Sequence, residues 1–194
     1  MKTVIDTNSL LFLVRYYLPF DRKKVLYDFI KDSLISGELI IIDKIHEQCQ
    51  FIANGKILTD LSFMSDKKFM KECKLPINTN DFIAPAPKKF LNIFDSSFVN
   101  HGTKKLRGIS DVELDNQKAK HLEDADMKMI IMCLNLIQDN SVEEVVLVTE
   151  ETSSDNDNKL FKKIPLMCKV LGINTVTLPV WIKEHTGIDI DFSS

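Results

Sequence analysis

Four cysteines, Cys49, Cys73, Cys133 and Cys168, lie scattered through 194 residues with no CxxC pair among them. That spacing excludes a zinc ribbon and calls for no disulfide framework. Cys133 and Cys168 fall in apolar helical patterns, where a free cysteine behaves as a small core residue. Long hydrophobic runs are missing too. No stretch has the roughly 20 apolar residues a membrane helix needs. The apolar run over 10–14 is too short, and begins too late after Asp6, to be a signal peptide. The expectation is a cytoplasmic protein with no membrane partner. Positive charge is not in excess: 25 lysines and arginines against 28 acids leave a net charge of −3. Local basic patches at Lys67-Lys68, Lys88-Lys89, Lys104-Lys105-Arg107 and Lys162-Lys163 read first as solvated faces. There is no phosphate-cradling P-loop and no GxGxxG turn, which disfavours a nucleotide-binding Rossmann domain. Internal repeats and low-complexity segments are absent as well.

What the chain does have is an alternation of short apolar runs and amphipathic helices, as expected for one α/β domain spanning 1–194. Val4 and Ile5, β-branched as a central strand prefers, predict a buried strand running straight into a helix that Asn8 or Ser9 can cap. Pro19 breaks that helix and biases Leu18 towards extended backbone. Asp21 is the expected cap of a helix over 22–36, with Val25, Leu26, Phe29, Ile30 and Leu34 at helical spacing and Gly37 at its end. The unbroken Leu39-Ile40-Ile41-Ile42 predicts a strand buried on both faces of a parallel sheet, and Asp43 an N-cap after it. Residues 54–110 carry the least pattern. They suggest a basic helix over 65–73, a turn-rich break over 76–80, a short strand at Phe82-Ile83-Ala84, a helix over 88–94 and a polar, basic loop over 100–104. Ser110 and Glu113 form a capping-box pattern that opens a long helical region, broken before Glu123. A strand over 145–148, a helix opening at Ile164-Pro165 and closed by Gly172, a strand over 174–178 and a terminal helix packed down by Trp181 complete the chain.

The chemistry lies in the acids at strand ends. Asp6 stands where the first strand meets its helix, and open α/β sheets bind ligands outside such carboxyl ends. A lone acid does not hold magnesium, which takes oxygen ligands and keeps several waters, so partners are required. Glu47, one turn into the helix after the second strand, is one. Asp124 and Asp126 open an apolar helix, where acids also suit the helix dipole. They lie about 200° apart around a helix. Met129, Ile130, Cys133 and Leu134 follow Asp126 by three, four, seven and eight residues. That places Asp126 on the inward face and leaves Asp124 as cap or second acid. Glu150 and Glu151 follow the strand over 145–148. Acids gathered at one sheet edge repel one another when empty. A divalent cation relieves the repulsion and suits phosphodiester hydrolysis.

Val4-Ile5-Asp6-Thr7-Asn8 resembles the opening motif of PIN-domain nucleases, the group that includes VapC-type toxins. Glu47 matches the family's second acid, Asp126 or Asp124 its third, and Val148-Thr149-Glu150-Glu151 its V-T-x-D segment, with Glu151 in the acid's place or Asp155 or Asp157 taking over the role. Tyr16-Tyr17-Leu18-Pro19-Phe20-Asp21, Ala125-Asp126 and Lys163-Ile164-Pro165 are similar to marks of a VapC-like subgroup with a YYPFD-type motif. The sequence departs from the pattern at an inserted Leu18, at Met127 where Pro is common, and at Glu151 where Asp is usual. The resemblance implies a PIN-like three-layer α/β/α fold around a twisted parallel sheet of four to five strands. It implies a Mg2+- or Mn2+-dependent endoribonuclease, the toxin of a toxin–antitoxin pair, with RNA as substrate, an antitoxin protein as partner and a homodimer as assembly. Asp6, Glu47 and Asp126 would be metal ligands, Asp124 and Glu151 would support a second metal or position water, and Asn8 and Thr149 would hydrogen-bond the carboxylates or phosphate. The alternative is a non-catalytic PIN-like module that binds RNA or protein without cutting.

Overall fold

A computed structural model of the chain describes residues 1–152 and 159–188. Its centre is a four-stranded, all-parallel sheet in the order β2-β1-β3-β4, with β1 Lys2–Ile5, β2 Leu39–Ile40, β3 Val145–Val148 and β4 Asn174–Val176. Helices join and flank the strands, an arrangement compatible with a three-layer α/β/α stack. β1 and β3 are central and read as continuous apolar runs because both faces are covered; Val4, Ile5, Val146, Leu147 and Val148 are fully buried.

In chain order the helices before the second half are α1 Thr7–Phe12, α2 Val25–Ile35, α3 Asp43–Phe51, α4 Lys56–Asp60, α5 Lys67–Glu72 and α6 Pro87–Ile93. They are followed by α7 His101–Leu106, α8 Asp111–Leu122, α9 Ala125–Gln138, α10 Ile164–Leu171 and α11 Leu178–His185. Register decides what meets at the carboxyl edge. Ile5 pairs with Val148 and Val148 with Val176, so Asp6 and Thr149 emerge side by side. The chain leaves β1 towards β2 on one side and β3 towards β4 on the other, making this the point where strand order reverses and a crevice opens. The long apolar helix α9 packs on β1 and β3. It precedes β3, so it runs antiparallel to the strands and presents its N-terminus, with Asp126, to that same edge.

Several local expectations are corrected. Asp6, not Asn8 or Ser9, occupies the cap position of α1, and the Ser9 hydroxyl donates instead to Glu150 at 3.3 Å. Pro19 does not stop the helix abruptly: a π turn over Leu13–Tyr17 and a 3-10 turn over Leu18–Phe20 lead the chain out. α2 begins at Val25, yet the Asp21 carboxylate still accepts the Tyr27 N–H at 2.8 Å. β2 ends at Ile40, and Ile42 makes only an isolated bridge to Ile77. Asp43 lies inside α3 and uses its carboxylate to hold Thr79, accepting its hydroxyl at 2.6 Å and its N–H at 3.1 Å.

Residues 82–84 form no strand. Ile83 is 69% exposed and its carbonyl accepts from the Asn135 side chain, so no strand edge pairs with it. The expected loop over 100–104 is helix α7, capped by Asn100, whose side chain accepts the Thr103 N–H at 3.0 Å. The capping box at Ser110 and Glu113 forms as expected. So does the Gly172 close of α10, where φ is 72° and an L side chain would be strained. Trp181 is buried, donates its indole N–H to Thr3 at 3.2 Å, and packs its ring at a tilt against Phe29, 5.9 Å between centroids, tying α11 and α2 to β1.

Candidate functional site

Asp6 is 5% exposed at the mouth of the β1–β3 crevice. Its carboxyl is raised from the ordinary 3.8 to about 6, first by burial and further by the nearby Glu151. The backbone N–H groups of Asn8 and Thr7 and the Thr149 hydroxyl pull the other way. Neither backbone group reaches ordinary capping geometry; the bond that does form is from Thr149 to Asp6 Oδ2, at 3.3 Å. The same Thr149 oxygen accepts the Glu151 N–H at 3.2 Å. One hydroxyl therefore couples the first acid to the segment carrying the last, as outer groups around a charged site do.

Asp126 is partly buried and is also raised to about 6, by burial first, then by Asp6, Glu151 and Asp124. Asp6 and Asp126 thus feel each other across the crevice. Two carboxylates so placed do not both ionise freely without a compensating cation. Asp124 stands at the cap position of α9 but makes no cap bond; it is exposed, and His121 Nδ1 lies 3.2 Å from its Oδ2.

The two glutamates after β3 divide their tasks. Glu150 Oε1 accepts the Leu178 N–H at 2.7 Å and the Ser9 hydroxyl, anchoring the start of α11 to α1. Glu151 Oε2 accepts the Ile164 N–H at 3.0 Å at the start of α10, while Oε1 faces Lys159 at 3.6 Å. Of the acids among the described residues, Glu151 and Asp126 line the adjoining pocket. Asp155 and Asp157 lie outside the described residues.

Glu47 is exposed on α3. The residues by which α3 approaches β1 are its neighbours. Gln48 accepts the Thr7 hydroxyl at 2.6 Å, and the buried Cys49 thiol is pushed up to about 12 by burial and by Asp6. Asn8 is likewise exposed and contributes through its backbone. The structure therefore gathers Asp6, Thr149, Glu151 and Asp126, sets Asp124 beside them through His121, and leaves Glu47 solvent-exposed on α3. Among the described residues no group of three or more His, Cys, Asp or Glu side chains is drawn together closely enough to hold a metal ion.

Beside the acids is a pocket of about 280 Å³ that the sequence did not reveal. Asp126 and Glu151 line it together with Arg107, Lys159, Lys162 and Lys163, and Lys159 lies 3.6 Å from Glu151 Oε1. His121 and Phe161, stacked at 4.4 Å and nearly parallel, line it as well. A backbone bridge assembles this lining. Val99 pairs with Phe161, the Asn100 N–H donates to Leu160 and the Lys162 N–H to Phe98. That brings the 104–107 and 162–163 basic patches to one place. His121 Nε2 is buried and has no hydrogen-bond partner among the described residues. The clusters were visible in sequence, but their meeting depends on a bridge between residues 62 positions apart, which no local pattern announces.

Comparison of the chain with protein-family models, with curated proteins and with solved structures returns no match.

Proposed function

We propose that the chain is a PIN-like, divalent-metal-dependent endoribonuclease that hydrolyses RNA phosphodiester bonds, in the manner of a VapC-like toxin. The observation that supports this best is the convergence of Asp6 and Asp126 at the strand-order reversal, where burial raises both carboxyls and Asp6 raises that of Asp126 further. These are two desolvated carboxylates from different elements, in a crevice rimmed by cations. The donor chemistry fits Mg2+ or Mn2+. Such ions take hard oxygens and are often held by only one or two carboxylates, the remaining positions going to water and substrate phosphates. That requirement is met without a closed three-ligand cage. When bound, a divalent cation would supply charge for the phosphate and a more acidic water.

Asp6 and Asp126 would hold the cation, with Asp124 and Glu151 as the supporting acids and Glu47 as the candidate from α3. Thr149 keeps Asp6 oriented and so narrows the geometry the site samples. Glu151 is fixed at one oxygen by Ile164 and faces Lys159 with the other; when Lys159 turns to a substrate phosphate, that second oxygen would accept a proton from an attacking water. Arg107, Lys162 and Lys163 place positive charge where a nucleic-acid backbone would pass.

The experiment is cleavage of a mixed single-stranded RNA pool with Mn2+ by wild type and Asp6→Asn. Cleavage by wild type alone supports the reading; equal cleavage by both sinks it. The second reading, a non-catalytic module that binds RNA or protein, is favoured by one observation: among the described residues no three His, Cys, Asp or Glu side chains gather closely enough to hold a metal ion. It requires RNA binding without cleavage and no stabilisation by Mn2+.

A further inference from the structure

Acids at a sheet edge explain where a bond is broken but not how a flexible strand is held in place. Hydrolysis by an external water needs the scissile phosphate over Asp6 and Asp126. The four cations line the pocket together with Asp126 and Glu151, Lys159 lying 3.6 Å from Glu151 Oε1, and Asp6 is not part of that lining. A phosphate over Asp6 and Asp126 therefore sits at the edge of the pocket, and the cations inside it are placed for the next one along the strand. The pocket offers about 280 Å³. It is also braced. His121 bonds Asp124 at the start of α9 and stacks flat on Phe161, the residue immediately before Lys162. A braced pocket holds its charges at a fixed spacing from the acids, whereas lysines on a solvated face do not.

We propose that this pocket is a subsite for the phosphodiester neighbouring the one that is cut, held by Arg107, Lys162 and Lys163, with His121 as the positioning residue that sets its distance from Asp126. The ligand is a single-stranded nucleic-acid backbone. The contact reads charge and spacing, not base identity, because phosphate contacts fix register and carry no sequence information. This inference rests on the nuclease reading for the word "neighbouring", but the binding site itself does not depend on cleavage.

The test uses the full chain and a fluorescently labelled single-stranded RNA, with binding read by anisotropy in EDTA across a salt series. Wild type should show a salt slope that falls by about 0.7 for each phosphate contact removed from a single strand. Arg107→Gln and Lys162→Gln should each lower it by that amount, and Lys68→Gln, on α5, should not. A second arm alters the substrate and leaves the protein intact, so misfolding does not confuse it. A set of RNAs carries one neutral methylphosphonate linkage at successive positions. With Mn2+ present, wild type should lose about tenfold in cleavage at one linkage beside the cut bond, and Lys162→Gln should be insensitive to that same replacement. His121→Ala should leave the salt slope unchanged but spread the sensitivity over several linkages, which a purely structural role would not do.

Equal slopes for all variants together with a flat methylphosphonate scan would overturn the subsite, even if RNA is cut. Reduced slopes in Arg107→Gln and Lys162→Gln with no cleavage by any protein would keep the pocket as a phosphate site and overturn the nuclease reading. No binding of RNA by wild type would overturn both.

Discussion

Thr149 and Asp6, 143 positions apart, share a buried hydrogen bond of 3.3 Å because β1 and β3 end in register. The hydroxyl favours the ionised form of Asp6. Thr149→Val keeps the shape and removes the donor, so the Asp6 carboxyl should rise further above 6. The rising limb of a pH–cleavage profile should move to higher pH, with a stability loss of about 1 kcal/mol. An unmoved profile would show that this hydroxyl does not tune the acid.

The raised acids also set a pH dependence of stability. Asp6 and Asp126 move from 3.8 to about 6 on folding. The folded chain therefore keeps protons that the unfolded chain gives up between about pH 4 and 6, and stability must fall as pH rises through that window and level off above it. For one acid the shift corresponds to about 3 kcal/mol. Because the two titrate as a pair, their effects do not add. Asp6→Asn should be more stable than wild type at pH 8, with most of the difference gone at pH 4, as read from urea midpoints.

Mn2+ should reverse that penalty. At 100 times its dissociation constant it should stabilise wild type by about 2.7 kcal/mol and Asp6→Asn by much less, seen as thermal unfolding with and without the ion. Equal shifts in both would place the cation elsewhere.

Glu150 and Glu151 are adjacent, yet they should respond differently. Glu150→Ala removes the carboxylate that holds the Leu178 N–H and the Ser9 hydroxyl, at about 1 kcal/mol. Cleavage should survive at temperatures where the variant stays folded. Glu151→Gln keeps an acceptor for the Ile164 N–H but removes charge from the pocket, and cleavage should drop at least tenfold with little loss of stability. The opposite ranking would transfer the site role to Glu150.

Much of the fold was legible because it is local. Val4-Ile5 and Val145-Val146-Leu147-Val148 are too apolar for anything but a sheet covered on both faces. Asp126 could be placed inward from Met129, Ile130 and Cys133, all of which are buried. Residues 54–110 resisted because their helices are short, and glycine marks only some of their turns, Gly55 and Gly108 among them. Ala53, Asn54 and Ala86 adopt left-handed backbone at φ of 51°, 57° and 48°, where L residues are uncommon.

The sequence by itself determined the four strands of the sheet, though it also suggested one at 82–84 that does not form, together with the long helices and which acids stand at strand ends, since hydrophobic period and capping chemistry act over a few residues. Only the tertiary structure decided which of those acids meet. The register of Ile5 with Val148 joined Asp6 to Thr149, and the antiparallel run of α9 brought in Asp126. The Val99–Phe161 bridge brought two unremarkable basic patches into the lining of one pocket. These are contacts between distant segments, set by the packing of the whole sheet and its helices, and no local pattern specifies them.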